Sequence, residues 1–136
     1  MKGYLLDTNV ISELRKQKPH GAVLGWIQSL RSEEAFVSAI TLGELQAGVE
    51  LTRTQDARKA QEIERWLDRL AGLYEVLPMD ARCFREWGRL MHKKSERLIE
   101  DAMIAATARV HDLVVATRNV RDFIDFNVQI YNPFKS

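Results

Sequence analysis

The sequence predicts an α/β domain, in which a short, mostly parallel five-stranded sheet carries helices on both faces. Three observations lead there. Short apolar runs alternate with amphipathic segments along the chain, the pattern of strand–helix units whose strands are buried on both sides. One helical segment, LIEDAMIAATARV (98–110), is apolar or small nearly all round apart from Glu100, Asp101 and Arg109, so it packs on several sides. No repeat, low-complexity tract or linker divides the 136 residues, a length that suits one domain with a core of its own, placed at 1–134.

The elements follow in order. GYLLDT (3–8) is an apolar run closed by polar residues, hence a buried strand. NVISELRK then places Val10, Ile11 and Leu14 at helical spacing until Lys18-Pro19-His20-Gly21 breaks the pattern. AVLGWIQSL (22–30) resumes as a helix burying Val23, Leu24, Ile27 and Leu30, and Glu33-Glu34 turns the chain into the second strand, AFVSA (35–39). TLGELQAGVEL (41–51) is helical. Residues 55–73 carry the clearest period, with Ala60, Ile63, Trp66, Leu67, Leu70 and Leu73 in one stripe and charges opposite. EVLP (75–78) is a brief strand stopped by Pro78, and 80–94 an amphipathic helix with Phe84, Trp87, Leu90 and Met91. After the 98–110 helix come strands LVVAT (113–117) and VQIY (128–131), and Asn132-Pro133-Phe134 closes the domain.

Composition narrows the function. Hydrophobic residues make up 46% and charged residues 29% of the chain, and the formal charge is +1. A protein that coats nucleic acid through a broad basic face carries more excess charge, so any contact with nucleic acid is local or shared with a partner. The one cysteine, Cys83, rules out an internal disulfide and a cysteine-based zinc site. With Met1-Lys2-Gly3 leading straight into the first strand and no apolar run of spanning length, a cytoplasmic protein without membrane contact is expected.

Three acids stand out by position. Ligands in such folds bind beyond the carboxyl ends of the strands, and Asp7 closes the first strand. It either caps the next helix or presents its carboxylate to the crevice. Asp101 lies in the first turn of the helix that is otherwise buried. The helix dipole favours an anion there by only about 0.3–1 kcal/mol, too little to offset carboxylate burial without a partner or metal. Its neighbour Glu100 points a quarter-turn away and is expected in solvent. Thr41-Leu42-Gly43-Glu44 fits a capping box, in which Glu44 would serve the helix start; since Thr41 also follows a strand, Glu44 alternatively faces the same rim. Such an oxygen-rich cluster suits Mg²⁺ or Mn²⁺, and two such ions about 3.5–4 Å apart can activate water against a phosphodiester.

The blocks LLDTNVISEL, SAITLGEL, DAMIAATA and ATRNVRDF, in this order, resemble the motifs of PIN-domain nucleases. The resemblance extends over about 1–134 and is greatest to the VapC-type toxins of bacterial toxin–antitoxin pairs, including the FitB-like branch. It implies a three-layer α/β/α sandwich and a Mg²⁺- or Mn²⁺-dependent endoribonuclease, with Asp7, Glu44 and Asp101 as the acidic triad. Water attacking the scissile phosphate in line would leave a 5′-phosphate and a 3′-hydroxyl. Asn9 and Thr117 match polar positions that orient the acids and the phosphate. The resemblance also implies inhibition by a VapB-type antitoxin, tethering to operator DNA, and a homodimer. The early helices and the 55–73 helix are the expected seat of the antitoxin.

The chain departs from that pattern at Asn119, where many relatives carry Asp. Asn offers a carbonyl without charge. Asp122 either returns to the rim as an auxiliary acid or pairs with Arg118 or Arg121. Arg15, Lys16 and Lys18, with Arg118 and Arg121, are candidate contacts for RNA phosphates. His20, His92 and His111 lack ligand spacing, and Trp26, Trp66 and Trp87 belong to apolar faces. Two rivals remain. A haloacid-dehalogenase-like phosphatase would use Asp7 as nucleophile, but it needs an acid where Asn9 stands. A non-catalytic PIN-fold binding module is the alternative that Asn119 favours.

Overall fold

A computed structural model describes residues 3–135; Met1 and Lys2, with which the predicted 1–134 domain begins, lie outside the described residues. Five strands, β1 (Tyr4–Leu6), β2 (Ala35–Ser38), β3 (Glu75–Leu77), β4 (Val114–Ala116) and β5 (Ile130–Tyr131), form one sheet in the order β3-β2-β1-β4-β5. Every neighbouring pair is parallel. The helices are α1 (Thr8–Glu13), α2 (Gly21–Ser29), α3 (Ala39–Arg53), α4 (Ala57–Leu73), α5 (Ala81–Met91), α6 (Ile99–His111) and the single turn α7 (Val120–Phe123).

Strand side chains alternate between the two faces, and both faces are covered. Leu5 and Val115 join Ala102, Ile104, Ala105, Phe123 and Phe126 on one side. Leu6, Val37 and Ala116 join Ile11, Val49, Ala60, Leu67 and Leu70 on the other. This explains why the strands read as unbroken apolar runs. Gly3 allows the sheet to close at the start of β1, since a Cβ there would meet the Phe36 ring at 2.6 Å and Leu113 at 3.0 Å. The alanine face of α6 lies fully buried against β4 and α5. Trp26 packs edge-on against Tyr4 and beside Tyr131, and Trp87 donates its indole N–H to the Ile99 carbonyl.

Helix α3 starts earlier than expected. Ser38 is its N-cap, accepting from the Ile40 N–H at 3.1 Å. Thr41 is therefore inside the helix and fully buried, and the predicted capping box does not form. The reason is that a strand ending in Ser supplies a capping hydroxyl three residues sooner. Helix α1 is also shorter than the NVISELRK pattern, ending at Glu13. Buried Glu13 accepts the His20 N–H at 2.9 Å and pairs with Lys16 at 3.0 Å, which ties down the loop between α1 and α2.

Candidate active site

From the centre of the sheet the chain moves outward through β2 and β3, then returns to β4 on the other side of β1. The crevice where the order reverses lies beyond the carboxyl ends of β1 and β4, the place where such sheets bind ligands. Asp7 follows β1 and Thr117 follows β4. The Asp7 N–H donates to the Ala116 carbonyl at 2.9 Å, locking the two strand ends together.

Asp7 is 3% exposed and both its oxygens are engaged. Oδ1 accepts the Thr8 N–H at 2.8 Å, so Asp7 does cap α1. Oδ2 accepts from the Thr117 hydroxyl at 2.8 Å and from Asn9 Nδ2 at 3.0 Å. Asn9 Nδ2 also reaches Thr117 Oγ1 at 3.2 Å, and its Oδ1 accepts the Arg118 N–H at 3.1 Å. The Asn119 N–H closes the loop on Thr117 Oγ1 at 2.9 Å. Capping and presentation to the crevice are thus one arrangement. Burial raises the Asp7 carboxyl above its ordinary range. The hydrogen bonds from Thr117, Thr8 and Asn9 act against the rise, and the charge of Asp122 adds to it.

With no capping box to serve, Glu44 turns to the same crevice. Thr8 donates its hydroxyl to Glu44 Oε1 at 2.6 Å and lies 3.0 Å from the Thr41 hydroxyl. Burial, followed by a hydrogen bond shared with Glu100, pushes Glu44 up to about 7. Glu100 is exposed, as expected. It nevertheless faces the site through Glu44, because the first turn of α6 meets α3 across the crevice. Asp101 is pushed up to about 6, first by burial, then by the charges of Asp7, Asp122 and Glu100, with Arg97 pulling the other way.

The stretch around α7 combines a part of each expectation. Its single helical turn brings Asp122 back toward the rim, where its charge acts on Asp7 and Asp101. Its partner is Arg97 at 3.1 Å, rather than Arg118 or Arg121. Spacing along 118–122 could not reveal an arginine that arrives from the turn before α6. Arg118 instead lies over the Phe134 ring, 3.8 Å from its centroid. Asn119 is exposed at the N-cap of α7 and contributes its backbone N–H to Thr117. With Arg121 they border a cavity of about 610 Å³ beside the acids. Lys16 is taken up by Glu13, while Arg15 is exposed on the loop after α1.

Among the described residues no group of three or more His, Cys, Asp or Glu side chains is drawn together closely enough to hold a metal ion. The acids ring an open rim. Their chemistry still fits a hard divalent ion: all donors are carboxylate oxygens, raised first by burial and further by one another's charge. Mg²⁺ keeps several of its waters and takes only one or two carboxylates directly, so a spread set suits it.

Residues 4–127 match the PIN domain family model. The chain belongs to the PIN-domain family. This PIN domain is 40% identical to the VapC ribonuclease Y4jK of Sinorhizobium fredii over 142 residues, which cover 96% of this chain and 97% of that protein. It is 36% identical to toxin FitB of Neisseria gonorrhoeae over 137 residues, covering 96% and 97% of the two chains. The solved structure of FitAB bound to an IR36 DNA fragment superposes with a TM-score of 0.83 at 32% identity, covering 96% of this PIN domain and 95% of that chain.

Proposed function

We propose that this PIN domain is a Mg²⁺- or Mn²⁺-dependent endoribonuclease, the toxin of a toxin–antitoxin pair, acting in the cytoplasm as a homodimer. The observation that carries the proposal is that Asp7, Glu44 and Asp101 lie about the crevice where the strand order reverses, near enough for the charge of Asp7 to act on both of the others. The VapC ribonuclease and FitB toxin relatives, aligned over nearly the whole chain, support it. Asp7, Glu44 and Asp101 would hold the cation, which when bound supplies the positive charge that activates water and stabilises the leaving oxygen.

The chain's own residues do the rest. Asn9, Thr117 and Thr8 hold Asp7 and Glu44 in fixed orientations. Without the cation Glu44 stands at about 7; the positive charge of a bound ion would favour its carboxylate form and so its role as a ligand. Arg97 places one positive charge at the mouth of the site, and Arg118 and Arg121 border the adjoining cavity, where an RNA strand would enter. Hydrolysis joins the water oxygen to phosphorus and breaks the bond to O3′, leaving a 5′-phosphate and a 3′-hydroxyl.

Purified full-length protein is expected to cut RNA with Mg²⁺ or Mn²⁺ and to stop in EDTA. Asp7→Asn and Asp101→Asn should each lower kcat/KM at least about 100-fold. Equal cleavage in EDTA, or by both variants, defeats the mechanism. The open spacing of the acids and the capture of Asp122 by Arg97 favour a second reading, a non-catalytic binding module; wild-type protein that binds no divalent ion near neutral pH would establish it.

The antitoxin, by this proposal, lies on the early helices and α4. The FitAB structure is of a complex bound to a DNA fragment, and an antitoxin–operator complex is proposed here by that likeness. A cavity of about 410 Å³ lined by Trp66, Leu70 and Leu73 opens on α4, and Leu73 is 72% exposed. No helix among the described residues is long and apolar enough to cross a membrane.

A further inference from the structure

At the end of the sheet opposite the acids, a second charged recess opens. It has a volume of about 620 Å³ and lies between α5, the last turn of α6 and the segment leading into β5. Arg82, Arg85 and Arg89 line it from α5, and Arg109 from α6. The spacing 82, 85, 89 puts three guanidinium groups on one helix face over about 10 Å. Glu86 orders two of the four, pairing with Arg89 at 2.9 Å and Arg109 at 2.6 Å. Arg109 also donates from Nη1 to the Asn127 carbonyl at 2.6 Å.

Among the described residues neither Arg82 nor Arg85 forms an ion pair, although Arg82 and Asp80 at the start of α5 act on each other's charge. Four guanidinium groups thus face two lining carboxylates, Glu86 and Asp112, in a chain whose formal charge is only +1. The cavity's cations are all arginine. A guanidinium presents a planar fork that matches phosphate oxygens two at a time, which an ammonium does not. Helices α5 and α6 run antiparallel, with Trp87 bonded to Ile99 and Glu86 paired with Arg109, so the recess lies roughly 20 Å along α6 from its first turn and the acidic rim.

We propose that this arginine recess is a second RNA site, which binds phosphates of a long or folded RNA while another stretch of the same molecule reaches the acids. It rests on the ribonuclease reading above. A neutral protein that must hold a polyanion needs its positive charge concentrated, and here it is concentrated away from the acids that would repel phosphate.

The test compares Arg82→Gln/Arg85→Gln with a charge-matched control, Arg58→Gln/Arg65→Gln on exposed positions of α4. Cleavage is measured on a long structured transcript and on a tetranucleotide too short to span both sites. For the α5 double variant the transcript KM should rise about tenfold with kcat unchanged, as expected for lost phosphate contacts. In an Asp101→Asn background the slope of log affinity against log salt should become shallower by about 1.4, two contacts at about 0.7 each. Tetranucleotide cleavage and the control variant should match wild type. The proposal is overturned if transcript KM and salt slope do not move, if the control moves equally, or if the tetranucleotide suffers as much as the transcript. It is also overturned if polyglutamate binds the wild-type recess while RNA binding ignores the substitutions, which marks a peptide site. Wild-type protein that cuts neither RNA would instead defeat the ribonuclease reading itself.

Discussion

At the scale of single residues, Thr117 is the most informative position. Its buried hydroxyl donates to Asp7 at 2.8 Å and accepts from Asn9 and Asn119, so one oxygen joins β1, α1 and the loop after β4. Thr117→Val keeps the shape and removes that oxygen, leaving Asp7 Oδ2 with Asn9 alone. A supporting partner of this kind is worth roughly 10–100-fold in activity, and the unsatisfied groups cost about 1–3 kcal/mol. The expected outcome is a loss of that size in kcat/KM, a lower urea midpoint, and recovery of both by Thr117→Ser. Asp7, Glu44 and Asp101 were legible because each stands where a strand meets a helix or a buried helix begins. Thr8, Glu100 and Arg97 were not. Thr8 reaches Glu44 across 36 positions, Glu100 meets it from another helix, and Arg97 finds Asp122 across 25, so no local spacing could announce them.

Among the elements, α4 shows how a helix can be well specified and still be incomplete. Its stripe of Ala60, Leu67 and Leu70 is buried on the sheet, whereas Leu73 at its end is left in solvent beside the cavity on that helix. An apolar surplus beyond the core marks a surface for a partner. Leu73→Asp is therefore expected to leave the melting temperature of the free protein nearly unchanged and to abolish co-purification of the antitoxin when both genes of the operon are expressed. Retention of the antitoxin by that variant would remove α4 from the proposed interface. The element boundaries that sequence reading missed share one cause. A capping hydroxyl from Ser38 moved the start of α3, and α1 ends early where Glu13 accepts the His20 N–H; both are side-chain to backbone bonds that compete with periodicity.

For the whole molecule, the acidic rim is where burial, reinforced by mutual repulsion, works against charged carboxylates. Glu44 and Asp101 take up protons at about 7 and about 6 in the folded protein, against ordinary values near 4 for the unfolded chain. Between about pH 4 and pH 7 the folded state thus binds more protons than the unfolded state, so stability falls as pH rises through that window. The carboxylates held low by arginine, lysine or backbone partners, such as Glu13 and Glu86, lose their contribution only below it. Metal-free protein should accordingly melt at a higher temperature at pH 5 than at pH 8 in a differential scanning experiment. Glu44→Gln should flatten that dependence and raise the melting temperature at pH 8 while lowering RNA cleavage. A melting temperature that climbs from pH 5 to pH 8 would contradict this account. Sequence alone determined the α/β alternation and the burial of the strands on both faces, and it marked Asp7 and Asp101 as candidates, because apolar runs, helical periods and strand–helix junctions are local patterns. Only the tertiary structure decided that Glu44 leaves its helix start for the crevice, that Asp122 returns to the rim in the hold of Arg97, and that four arginines gather at the far end of α6. The physical reason is that charge is settled by which side chains meet across the fold, and a chain records that meeting only when it closes.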